Sequence, residues 1–167
     1  MPIAYQEVEQ ALSLAVNQFL ARLVDEVEPT DLYAAGLYTS GEFSYLMPTA
    51  NTLSAWETAG GSKWSPPDWA FHGSALSDFE AVDRLLVQGW DTAFDSFEVD
   101  VPRFRGIVYR VLQQARRKYF SGSPVVMGLR WAMPRLNTRF RPSTHLRCGR
   151  PLTFPAQETK AAARGKP

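Results

Sequence analysis

The sequence predicts an α+β fold: a single domain in which a small, mostly antiparallel sheet is covered by about three main helices. Three observations carry this. Apolar residues recur every three to four positions in three separate stretches, the period shifts to two over residues 32–47, and Gly and Pro clusters separate these segments. The chain has 167 residues, 45% of them hydrophobic and 21% charged, which suits one domain at about 100–200 residues each. At that length the chain needs no disulfide or metal staple.

The first helix is expected over about Ile3 to Glu28. Val8, Leu12, Ala15/Val16, Phe19/Leu20, Leu23/Val24 and Val27 form its apolar stripe, and Pro29 ends it. A β-hairpin follows, with strands at Leu32–Tyr38 and Glu42–Met47 around Thr39-Ser40-Gly41. Alternation sends Phe43, Tyr45 and Met47 to one face and Glu42, Ser44 and Leu46 to the other, and Pro48 closes the strand. Ser54-Ala55-Trp56-Glu57 has capping-box form and opens a turn or two of helix. The glycines at 60 and 61 break the chain, and Pro66-Pro67 hold an extended path into a short strand at Trp69–Phe71.

Ser77-Asp78-Phe79-Glu80 is a second capping box, heading a helix of about twenty residues that runs to Phe97. Asp100 is placed to cap the next helix, with Pro102 in its first turn. Its core stripe is Phe104, Ile107/Val108, Val111/Leu112, Ala115 and Tyr119, and Arg116, Arg117 and Lys118 suit the dipole of its last turn. Ser121-Gly122-Ser123-Pro124 breaks it, and Val125–Trp131 is expected to be a strand. The globular domain is therefore expected to span 1–131, with 132–167 a basic, Pro/Arg-rich extension, partly disordered.

Chemistry-bearing patterns are sparse. His145 and Cys148 lie three apart among arginines, which disfavour a metal ion, and with His72 the only other histidine a third and fourth ligand would have to be carboxylates. Asp68 and His72 lie four apart, but no serine occupies a Gly-x-Ser-x-Gly elbow, and His72 suits a hydrogen-bonded role at a strand end. Gly60-Gly61 lacks the rest of a phosphate-binding loop. Of the acidic groups Asp25/Glu26/Glu28, Asp91/Asp95 and Glu98/Asp100, most fall on polar helix faces. No catalytic residue, metal or cofactor is expected, and the chain is read as a non-enzyme. A single cysteine suits a reducing compartment. With no basic leader and no apolar run of about 18 residues, the expectation is a cytoplasmic protein without a membrane span.

Charge is unevenly distributed. Residues 1–100 hold 16 acidic side chains against three basic ones, and residues 101–167 hold 15 basic against one acidic. The halves can neutralise each other within the fold, or one face can present a strong field to a partner. The basic C-terminal segment, with Arg130, Arg135, Arg139, Arg141, Arg147 and Arg150 interleaved by Trp131 and Phe140, supports nucleic-acid binding as the alternative function. Trp56, Trp64 and Trp69 fall within fourteen residues, either packing over the hairpin or offering interface anchors.

The order of motifs is informative here. A long first helix leads into Leu32–Thr39, Phe43-Ser44-Tyr45-Leu46, Pro48-Thr49-Ala50-Asn51-Thr52 and Lys63-Trp64-Ser65-Pro66-Pro67-Asp68-Trp69. This succession resembles a bacterial domain-of-unknown-function family with a Tyr-rich hairpin, an Ala-Asn-Thr turn and a Trp-Ser-Pro-x-Asp-Trp segment. The resemblance covers about residues 5–120, and residues after about 132 depart from the family pattern. That family is similar in size and setting to cytoplasmic immunity proteins that accompany polymorphic toxins. The resemblance implies a non-enzymatic domain that neutralises a cognate toxin by contact. The candidate partner-binding residues are Glu42, Trp56, Trp64, Asp68 and Trp69, on an acidic surface suited to a basic toxin.

Overall fold

The computed structural model describes residues 4–40, 43–90 and 97–131, with the backbone alone for 89–90, 97–100 and 131. These residues all belong to one compact unit that falls within 1–135. Gly41, Glu42, the 91–96 segment and the basic extension after Trp131 lie outside the described residues.

The first helix, α1 (Tyr5–Glu26), buries the stripe its period implies: Val8, Leu12, Ala15, Val16, Phe19, Leu20 and Leu23. It ends before Pro29, where Val27 turns extended and its N–H bonds the carbonyl of Leu23 at 3.0 Å. Strand β1 (Leu32–Thr39) is central in a three-stranded sheet of order β2-β1-β3. β2 (Leu46–Thr52) pairs with it antiparallel, and β3 (Val126–Trp131) pairs parallel. The fold is α+β as predicted, with a mixed sheet. β1 is apolar without alternation because both of its faces are covered. Ala35 and Leu37 enter the core shared with the helices, while Tyr33 and Ala34 pack beneath Trp69 on the opposite face.

Two expectations for the hairpin need correction. β2 starts at Leu46 instead of Glu42, so Phe43–Tyr45 form a loop and their faces do not alternate. Phe43 takes a left-handed backbone (φ 55°) that turns its ring into the helical core, and Leu46 is buried there too. Nor does Pro48 end the strand. It lies inside β2 opposite Leu37, which is tolerated because β2 is an edge strand and a missing N–H breaks no ladder there. The Ala-Asn-Thr motif is accordingly strand, not turn.

The predicted strand at Trp69–Phe71 is also absent. Pro66–Asp68 form a 3₁₀ turn, followed by further turns. This segment nevertheless serves the sheet edge: the N–H groups of Phe71 and Gly73 donate to the carbonyls of Ala50 and Pro48 at 3.1 and 2.9 Å. Main-chain donors thus cover the edge of β2 without an added strand.

Short helix α2 (Leu53–Ala59) is capped by Thr52, whose hydroxyl accepts from the N–H of Ala55, so Ser54 is not the cap. Ser54 instead donates its N–H and hydroxyl to the Asp31 carboxylate at 2.9 and 2.5 Å, which holds that carboxyl below its usual range. The second capping box does not form either. Leu76–Phe79 are 3₁₀, so α3 (Glu80–Trp90) begins at Glu80; the expected continuation over residues 91–96 lies outside the described residues, and Phe97 belongs to the next helix. Helix α4 (Phe97–Tyr119) already includes Asp100, so Asp100 is not its cap, and Pro102 lies inside it.

Helices α1, α3 and α4 share one core with the inner face of the sheet. Phe79, Val82, Leu86, Phe104, Val108 and Leu112 are packed there with Leu37 and Leu129. The two charge classes meet at the α1–α4 contact. Arg110 grips the Glu9 carboxylate with two hydrogen bonds of 3.1 and 2.9 Å, and Lys118 donates to the side chain of Asn17. Arg22 pairs with Asp78 within the acidic half. The Arg110–Glu9 pair, at the surface, joins the acidic and basic parts of the sequence.

Candidate functional site

The outer face of the sheet, away from the helices, carries the aromatic segment. Tyr33 is the foundation. Its neighbour Asn51, in β2, donates to the phenol oxygen at 3.0 Å, and the phenol donates to the carbonyl of Lys63 at 2.6 Å. Burial pushes the Tyr33 phenol up, against the smaller opposing effect of the Asn51 bond. It therefore stays protonated and able to donate. The indole N–H of Trp69 donates to the same Lys63 carbonyl at 3.1 Å. The side-chain oxygen of Asn51 accepts from the N–H of Ala70 at 3.1 Å. One asparagine thus ties together β2, β1 and the loop, and each of its buried polar atoms finds a partner.

The tryptophans occupy three different positions. Trp69 is buried, edge-on to Tyr33 at 6.2 Å between ring centres. Trp56, on α2, is half-buried, and its indole N–H reaches the carbonyl of Gly61 at 3.3 Å. Trp64 stands edge-on to Tyr33 at 5.5 Å with 46% of its surface exposed. Arg130 of β3 donates to the Trp64 carbonyl at 2.9 Å and so fixes the loop from the sheet edge opposite β2. Trp64, Trp69 and Arg130 wall a cleft of about 120 Å³, lined also by Ala34, Val126 and Gly128.

Of the five residues singled out in the sequence, Trp56, Trp64 and Trp69 come together around Tyr33. Asp68 is exposed on the same loop and faces a second cleft of about 370 Å³ beside α2, with Asn51, Ser54 and Thr58. Glu42 lies outside the described residues. Sequence reasoning missed Tyr33, Asn51 and Lys63 as site residues, and it named Arg130 for nucleic acid and not for its bond to the aromatic loop. The available signal was a lone asparagine within the strand-like run Pro48–Thr52, a polar residue that a buried strand tolerates only when paired.

Comparison with family models, curated proteins and solved structures finds no match for this chain. The site must be read from its own chemistry. Among the described residues, no three His, Cys, Asp or Glu side chains converge as metal ligands, and no helix is long and apolar enough to cross a membrane. His145 and Cys148 lie outside the described residues, as do most of the arginines noted for nucleic acid. Arg130, which is described, is engaged with the loop.

His72 sits in a turn and not at a strand end. Its ring meets Tyr38 edge-on at 5.3 Å, and its Nδ1 lies 3.4 Å from the hydroxyl of Thr49. Thr49 is 1% exposed, so no substrate reaches that hydroxyl and the contact is structural. Burial lowers the His72 pKa below its ordinary 6.5, with the charge of Asp68 opposing. The unfolded chain therefore takes up a proton before folded His72 does. Stability contributed by neutral His72 is expected to be complete above about pH 7.5 and to fall as pH drops through 6.5 toward the lowered folded value. Urea unfolding of wild type and His72→Gln across this range checks it, because the difference between the two curves removes all other titrating groups. A pH-independent difference rejects the assignment.

Proposed function

We propose that this chain is a non-enzymatic protein-binding domain that works as a bacterial immunity protein, neutralising a cognate toxin in the cytoplasm by direct contact. The observation that carries the reading is Trp64, a large apolar side chain held nearly half-exposed on a loop that four separate hydrogen bonds fix from below. Exposed tryptophans with rigid surroundings make strong interface anchors, because little freedom remains to be lost on binding. Trp69, being buried, supports this anchor from beneath, and Trp56 flanks it. Glu57 and Asp68 are exposed on the same two segments and favour a basic partner surface, which speeds encounter. The sequence resemblance to immunity-type domains supports the same reading.

Co-expression with the product of the adjacent gene provides the test. A stable complex and protection from growth arrest are expected. Trp64→Ala should weaken the complex by about 2 kcal/mol, roughly 30-fold, while lowering the melting temperature by only a few degrees, since the edge-on contact with Tyr33 that is lost belongs to an indole already 46% exposed. No complex and no protection overturns the proposal. A binding loss accompanied by unfolding of Trp64→Ala removes Trp64 as the anchor.

A further inference from the structure

The side chain of Lys63 lies between two aromatic rings, its Nζ 4.7 Å from the centre of the Trp56 ring and 4.9 Å from that of Tyr33. Among the described residues this ammonium has no carboxylate partner at ion-pair distance. It is held by ring faces, whose negative quadrupole attracts a cation. We propose that the Tyr33–Trp56 pair is a cation-recognition site, filled by Lys63 in the free protein and taken by an arginine side chain of a basic protein partner in the complex.

The walls do not depend on the resident side chain. The Tyr33 phenol is fixed by Asn51 and by the Lys63 main-chain carbonyl, and the Trp56 indole is fixed by the Gly61 carbonyl. The Lys63 backbone is held twice, by Tyr33 and Trp69, through an oxygen that any residue at this position possesses. The side chain can therefore swing out while the cage and the loop remain. Gly60 and Gly61, at φ 69° and 82° with open space around them, bring the chain into this loop. Exposed Glu57 and Asp68 on the flanking segments favour a cationic occupant over a neutral one. Arginine is the stronger competitor, because its planar, weakly hydrated guanidinium stacks on ring faces better than an ammonium. That the occupant comes from a protein partner rests on the function proposed above, whereas the cation site stands on geometry alone.

The test uses Lys63→Ala, which empties the cage and keeps the carbonyl, with Nα-acetyl-arginine amide as the probe and the uncharged Nα-acetyl-citrulline amide as control. The readout is the indole N–H resonance of Trp56. A saturable shift is expected with the arginine probe and not with citrulline. Wild type should bind the probe at least about tenfold more weakly, since Lys63 competes for the same faces. Lys63→Gln, which keeps most of the stem without the charge, should behave like Lys63→Ala and serves if the latter perturbs the loop. Equal shifts with both probes, or no saturable shift in either variant, overturn the proposal. No toxin is present, so failure here is distinct from failure of the complex.

Discussion

Gly36→Ala is expected to destabilise the protein by about 3 kcal/mol and to lower its melting temperature by roughly 10 °C. Gly36 is paired directly with Gly128 across the parallel β1–β3 junction, and a methyl group at Gly36 would overlap the main-chain carbonyl of Gly128. Backbone cannot rotate aside as a flexible side chain would. The central strand would have to separate from β3, carrying with it the core contacts of Leu37 and Leu129. Gly128→Ala is the internal control. A Cβ there meets nothing within 4 Å, so the same chemical change across the same pair should be neutral or slightly stabilising, since strand glycine carries an entropic cost. Urea and thermal unfolding of both variants measure the contrast. Equal stabilities would contradict the parallel register.

Phe104→Ala should cost about 4 kcal/mol. Phe104 is fully buried on α4 and meets the ring of Phe43 edge-on, 5.0 Å between centres at 83°. The contact is the point where α4 supports the loop leading into β2. Phe43 reaches it only by adopting a left-handed backbone, a conformation that a bulky residue holds only when its surroundings compensate. Truncating Phe104 removes that compensation as well as creating a cavity. Phe43→Ala should be costly too, and the double variant should lose less than the sum of the two, because both substitutions delete one shared contact. Strict additivity, or a Phe104→Ala loss below about 1.5 kcal/mol, would mean that the rings are not mutually supporting. Far-ultraviolet circular dichroism in urea provides the measurement for all three variants.

Both residues show how unevenly the fold could be read from the chain. The three long helices were legible because their apolar residues repeat at helical period, and burial follows that repeat residue by residue in α1. The boundaries of β2 were not. Alternation over Phe43–Met47 and the proline at 48 both pointed to a strand four residues too early. Only the position of β2 at the edge of the sheet makes Pro48 acceptable inside it. The capping boxes at Ser54 and Ser77 failed for a related reason: Thr52 and Asp31 offered better local partners in the first case, and a 3₁₀ turn formed in the second. The tryptophan segment was recognised as unusual, but the strand expected within it is a series of turns that feed hydrogen bonds to β2.

The chain by itself determined what recurs along it: the helix period, the apolar run of β1, the α+β class and the clustering of Trp56, Trp64 and Trp69. Tertiary structure decided whatever depends on residues far apart in sequence. The parallel pairing of Gly36 with Gly128, the Asn51–Tyr33–Lys63 chain of hydrogen bonds and the separation of Trp64 at the surface from Trp69 beneath it belong to this group. The physical reason is range. Propensity and period act over a few neighbouring residues, whereas steric exclusion and the satisfaction of buried polar groups act only between surfaces that folding brings together.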